Sequence, residues 1–143
     1  MRDRCSYDYA IVRVVPRVER QEFVNIGVIV SCPERNFLDA RIVLDEARLR
    51  ALDPTLDLEF IRRHADGIVA LCRGGPGAGP IGKLSQRERF HWLVAPRSTI
   101  IQMSPVHTGH CAEPRPVLEH LLDTMVRSVA PGDGQKKAPQ AGL

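Results

Sequence analysis

The chain is poor in aromatics, has no long apolar run and lacks any paired cysteine motif. Aromatic residues make up 5% of its 143 positions, and no aromatic pair stands on the central strand segments, where a sheet that stacks bases would need one. No stretch approaches the roughly 18 consecutive apolar residues required by a membrane helix. The opening "MRDRCSYDY" lacks the apolar core of a secretory signal, so the expected location is the cytoplasm, with no membrane contact. Cys5, Cys32, Cys72 and Cys111 are scattered without a C-x-x-C pair, which argues against a disulfide framework and a zinc knuckle and leaves four reduced thiols. Charge of one sign is also scarce: 20 Lys+Arg against 17 Asp+Glu gives +3, too small an excess to imply a phosphate-coated partner unless it is clustered.

The remaining composition, 43% hydrophobic and 26% charged, is that of a soluble globular protein. A chain of this length forms one domain and buries about 68–70% of its unfolded surface. Residues 1–130 are expected to form a single α+β domain, and 131–143 a disordered tail, because "PGDGQKKAPQAGL" carries no apolar period.

Three early segments alternate in the manner of strands. "YDYAIVRVVP" places Ala10, Val12 and Val14 on one parity; "EFVNIGVIVS" places Val24, Ile26, Val28 and Val30 together; "FLDARIVL" does the same with Leu38, Ala40, Ile42 and Leu44. Short connections favour an antiparallel meander. "STIIQMS" is a fourth strand candidate, and the class is α+β: an antiparallel sheet of three to four strands with helices packed on one face. Helical spacing recurs in "DEARLRAL", in "DLEFIRRHADGIVALCRG", in "SQRERFHWLV" with its Ser85/Glu88 capping box, and in "RPVLEHLLDTMVR". In the last of these, Val117, Leu118, Leu121, Leu122, Met125 and Val126 are expected to face inward.

Several motifs resemble chemistry without completing it. Gly77, Gly79 and Gly82 satisfy G-x-G-x-x-G, but the loop follows a helix instead of a strand, and Leu84 stands where a P-loop needs Ser or Thr. It reads as a Gly/Pro linker. His107, His110 and Cys111 lie close together in sequence, yet their spacing fits no standard metal or nucleophile site. No catalytic residue, metal ligand or cofactor is assigned, and whether the chain is an enzyme stays open at this level.

The mixed parity of the second strand is more informative. Pairing Arg13 with Asn25, and setting Ile11 and Arg41 on either side of Gly27, gathers Tyr9, Arg13, Asn25, Asp39 and Arg41 on one sheet face around a residue with no side chain. Either that face is a solvated surface with cross-strand polar pairs, or it is a docking or anion-binding surface with Arg13 and Arg41 as donors. Arg97, Ser98 and Thr99 would extend its rim if the fourth strand joins the sheet. Gly27→Val separates a ligand-accommodating glycine from a bulge.

"YDYAIVRVVPRVERQEFVNIGVIV", with "RSTIIQMSP" and "EPRPVLEHLLDTMV" further on, resembles domain-of-unknown-function family 3037, a group of small bacterial proteins. Its most specific part is the segment Glu22 to Val28. The resemblance implies no activity and no catalytic residues. Family members are often encoded beside a HipA-like serine/threonine kinase, which implies a non-enzymatic partner or regulator of that kinase. The alternatives are a nucleic-acid-binding or nucleic-acid-processing protein using the Arg13/Asn25/Arg41 face, and a metal-dependent hydrolase built on His107 and His110. The oligomeric state is not legible.

Overall fold

The described residues contain five strands. In the computed structural model, which describes residues 4–97 and 99–127, β1 (Cys5–Val14), β2 (Val24–Cys32) and β3 (Phe37–Ile42) form the antiparallel meander. The 3-10 turn Pro33–Arg35 ends on Asn36 in left-handed geometry (φ 53°) and makes Cys32 and Phe37 the last β2/β3 pair. β4 (Ile101–Met103) and β5 (His107–Cys111) lie end to end along the other edge of β1. Between them, buried Ser104 replaces the interrupted ladder: its N–H donates to the Ile11 carbonyl at 2.8 Å and its Oγ accepts the Ile11 N–H at 2.8 Å.

A β-bulge reverses the second strand's parity. Val12 is paired with Gly27 and Arg13 with Asn25, so Ile26 has no opposite number. Val24 and Ile26 consequently face one side, whereas Val28 and Val30 face the other; the four valine and isoleucine side chains do not share a face as strict alternation predicts. The expected Arg13/Asn25 pair is present. Ile11 and Arg41 flank Val28 instead of Gly27, one residue away from the expected register: the bulge at Ile26 shifts β1, and a turn one residue shorter than a Ser31/Phe37 pair requires shifts β3.

Both sheet faces are covered. On the first, α1 (Glu46–Leu52), α2 (Leu58–Arg73) and α3 (Gln86–Val94) bury Leu49, Ile61, Phe90 and Leu93 against Val12, Val14, Ile26 and Ile29. Each helix starts as its sequence dictates. Asp45 and Asp57 accept from the N–H groups of Arg48 and Phe60, and the Ser85/Glu88 capping box is complete at 3.2 and 3.1 Å. On the second face α4 (Pro114–Met125) buries Leu118, Leu121 and Leu122 against Ile11, Val28 and Val30. The α+β class stands, with a fifth strand and a helix on the face where solvent or a ligand was expected. Met125, expected inside, is 44% exposed. The expected tail, 131–143, lies outside the described residues.

β5 is absent from the sequence expectation because "HTGHC" has no apolar alternation. Its pairing partner explains it: a side chain on Gly109 would meet the Tyr7 ring, with Cβ 2.5 Å from the hydroxyl. Tyr7 therefore lies over the glycine and supplies the cover that the strand itself lacks.

Candidate functional site

Tyr9, Arg13, Asn25, Asp39 and Arg41 are on one face, as expected, but α4 lies along it. Asp39 accepts from Arg115 at 2.8 Å, and Arg41 pairs with Glu119. The match follows from geometry: residues two apart on a strand are separated by about 6.6 Å and residues four apart on a helix by about 6 Å, so two opposite-sign pairs fall in step. Asn25 Nδ2 donates to the Met125 carbonyl at 3.1 Å at the helix end, where Arg48 also donates to the Val126 carbonyl at 3.2 Å. The Arg13 guanidinium stacks on Phe23, 4.1 Å from the ring centre. Tyr9 packs beside Tyr7 and 5.3 Å from the His107 ring. Gly27 points to the opposite face, where its missing side chain admits the Arg41 carbonyl. Asn25, Asp39 and Arg41 thus fasten α4 to the sheet, whereas the ring contacts of Arg13 and Tyr9 are with Phe23, Tyr7 and His107.

The other candidates separate. Arg97 donates to the carbonyls of Trp92 (2.8 Å) and Leu93 (3.2 Å), so it closes the C-terminus of α3 instead of extending the sheet face. Ser98 lies outside the described residues. His107 and His110 fall on opposite faces of β5 by strand alternation; His110 Nε2 is 3.5 Å from Ser6 Oγ. Among the described residues no three His, Cys, Asp or Glu side chains are grouped to hold a metal. The glycine-rich loop folds back on itself through two 3-10 turns, Pro76–Ala78 and Ile81–Lys83, with Gly75 N–H on the Gly82 carbonyl at 3.0 Å. The N–H groups of Gly75, Ala78, Gly79, Gly82, Lys83 and Leu84 all donate within the loop, unlike the converging donors of a phosphate cradle.

Cys5, Cys32 and Cys111 meet at the far end of the sheet, and all are buried. Burial is the main cause raising the pKa of each and Arg35 opposes it at all three, while the neighbouring thiols raise Cys5 and act in both directions on Cys32 and Cys111. Cys72, inside α2, is pushed up to about 12, again by burial. Thiols held protonated in this way pack as small apolar groups.

A groove that the sequence reading missed lies between α2, α3 and β4. It has a volume of about 740 Å³ and is lined chiefly by Phe60, Ile68, Leu71, Trp92, Ile101 and Met103. Phe60 and Trp92 are 38% and 41% exposed, and they stand on its two helical walls. Arg63, His64 and Arg97 also line it, whereas no carboxylate does. Arg97 stacks on Trp92 at 4.2 Å and His64 on Phe60 at 4.4 Å. Buried Arg89 ties the two helices together at the end of α2. From α3 it donates to the Cys72 carbonyl at the end of α2 and to the Leu84 carbonyl, and its guanidinium fills the space over Gly74. The groove had a sequence signal: Phe60, His64, Gly67 and Leu71 repeat at helical spacing beside the core stripe of α2. A second cavity of about 260 Å³, around Arg17, Arg20, Glu22 and Asp53, is small and polar, and Arg20 is already paired with Glu22 at 2.8 Å.

Residues 9–126 match the model of the family described as protein of unknown function (DUF3037). The chain belongs to the DUF3037 family. The DUF3037 span contains the whole groove and the charged contacts of α4. No curated protein and no solved structure matches the chain. No helix among the described residues is long and apolar enough to cross a membrane.

Proposed function

We propose that this DUF3037 protein is a non-enzymatic interaction module that docks a partner protein through the groove between α2, α3 and β4. The observation that carries the reading is the groove itself: an open apolar cleft of about 740 Å³ with two exposed aromatics on its walls and cationic side chains along it. Exposed apolar area gathered in one concave place is what a partner covers, and aromatic and arginine side chains dominate such contacts. The resemblance to neighbours of HipA-like kinases makes such a kinase the partner to test first.

Trp92 is the chain's one tryptophan, so its emission reports the groove directly. Co-expression with the HipA-like kinase from the same genome neighbourhood is expected to give a co-purifying complex. Trp92→Ala should weaken that complex, and a tryptophan-free version of the kinase should shift Trp92 emission to the blue. A monodisperse free chain with neither effect would rule the kinase out as partner.

The nucleic-acid reading needs Arg13, Asn25 and Arg41 to give up their contacts with Phe23, the end of α4 and Glu119. A gel shift that weakens steeply with salt and is lost in Arg41→Ala would favour it over protein docking.

A further inference from the structure

We infer that the groove takes an acidic amphipathic helix, an inference that rests on the docking role proposed above and specifies the segment that docks. The shape comes first. Both walls are helices, and Ile101 and Met103 of β4 contribute to the apolar lining. β4 is only three residues long, too short an edge for strand addition, which gains its affinity from a row of main-chain hydrogen bonds. Helix-in-groove binding instead uses side chains at i, i+3/i+4 and i+7, the spacing that Phe60, His64 and Gly67 already present on α2.

Gly67 is the second observation. It stands in the middle of α2, where glycine costs about 1 kcal/mol relative to alanine, and a Cβ built on it meets nothing within 4 Å. Among the described residues no neighbour uses the space. A glycine there cuts a notch in the α2 wall that allows another helix to approach at the short end of the usual 8–10 Å interaxial range.

Charge selects the sign of the partner. Arg63 forms no ion pair among the described residues, and Arg97 holds only carbonyl oxygens and the Trp92 ring. On the same helix Arg62 is paired with both Glu46 and Glu59. With no carboxylate lining the groove, the counter-charge must come from the docked segment. Aspartate or glutamate beside its apolar anchors would meet Arg63 on one wall and Arg97 on the other.

The test is a tryptophan-free random peptide library selected on the full chain and counter-selected on Gly67→Leu. That variant fills the notch, and since leucine is a better helix former than glycine it should melt no lower than wild type. Enriched peptides are expected to carry apolar residues at i, i+3/i+4 and i+7 with acidic residues between them. When synthesised, they should gain helical circular dichroism on binding, shift Trp92 emission to the blue and lose at least tenfold in affinity on Gly67→Leu. Arg63→Glu should weaken them by about three- to tenfold, and exchanging their acids for lysine should reverse that preference. Apolar residues at every second position, with no gain of helicity, would overturn the helix while leaving groove docking intact. Indifference to Arg63→Glu would overturn the acidic partner. A selection that yields no Gly67→Leu-sensitive binder would overturn the groove as the docking site altogether.

Discussion

Replacing Gly27 tests the bulge that organises the sheet. A Cβ at this position lies 2.5 Å from Ile42 Cδ1 and 2.6 Å from the Arg41 carbonyl oxygen. The isoleucine methyl can rotate away. The carbonyl cannot, because β3 is held on both sides of that point: Arg41 is paired with Val28, and the Val43 N–H donates to the Ile26 carbonyl at 2.7 Å. Relieving the contact therefore requires β2 and β3 to move apart, at the usual overpacking cost of about 1–3 kcal/mol. Gly27 is not among the glycines with positive φ, so alanine brings no backbone strain and recovers about 0.4–1 kcal/mol through the unfolded chain. The net expectation for Gly27→Ala is a loss of about 0–2.6 kcal/mol, or up to about 10 °C in melting temperature at about 2–4 °C per kcal/mol for a domain of this size. Gly27→Val adds branching atoms to the same clash and should melt lower still, despite valine's higher strand propensity of up to about 1 kcal/mol. Thermal unfolding followed by circular dichroism decides it, with Gly67→Ala as the control expected to melt higher by about 1 kcal/mol of helix propensity. Gly27→Ala melting above wild type would refute the close approach of β3.

Leu122, fully buried beneath α4, should cost about 2–5 kcal/mol when changed to alanine; a denaturant midpoint unchanged from wild type would mean that α4 does not pack on the sheet. The Arg41–Glu119 pair is about 40% exposed on both sides, so a double-mutant cycle should return a coupling of only about 0.2–1 kcal/mol, decreasing with salt. Ser85→Ala removes one half of the α3 capping box and should lower stability by about 0.5–2 kcal/mol in urea titration. All four cysteines are buried, with pKa values raised by burial and Cys72 at about 12. Alkylation at neutral pH should therefore be slow in the folded protein and complete once it is unfolded. Rapid labelling of any one under native conditions would show that its site opens.

Local chemistry determined the elements. Alternating apolar residues produced β1 to β3, carboxylate and hydroxyl caps at Asp45, Asp57 and Ser85 started three helices, and Gly74 stopped α2; each of these signals is complete within a few residues of chain. The sharing of one face by Tyr9, Arg13, Asn25, Asp39 and Arg41 was legible too, from period and pairing alone. What covers that face was not. Arg115 and Glu119 stand opposite Asp39 and Arg41 only because a helix more than seventy residues away is laid along β3, and no short-range pattern encodes that docking. The reversal of parity at Ile26 likewise needs β1 in place beside β2, since a bulge is a relation between strands and not a property of one. β5 pairs with β1 where Tyr7 covers Gly109, and the groove lies between helices that buried Arg89 ties together at the end of α2. Sequence spacing marks which residues share a surface of one element. Only the tertiary structure decides which of those surfaces the chain covers itself and which, like the wall carrying Phe60 and Gly67, it leaves exposed.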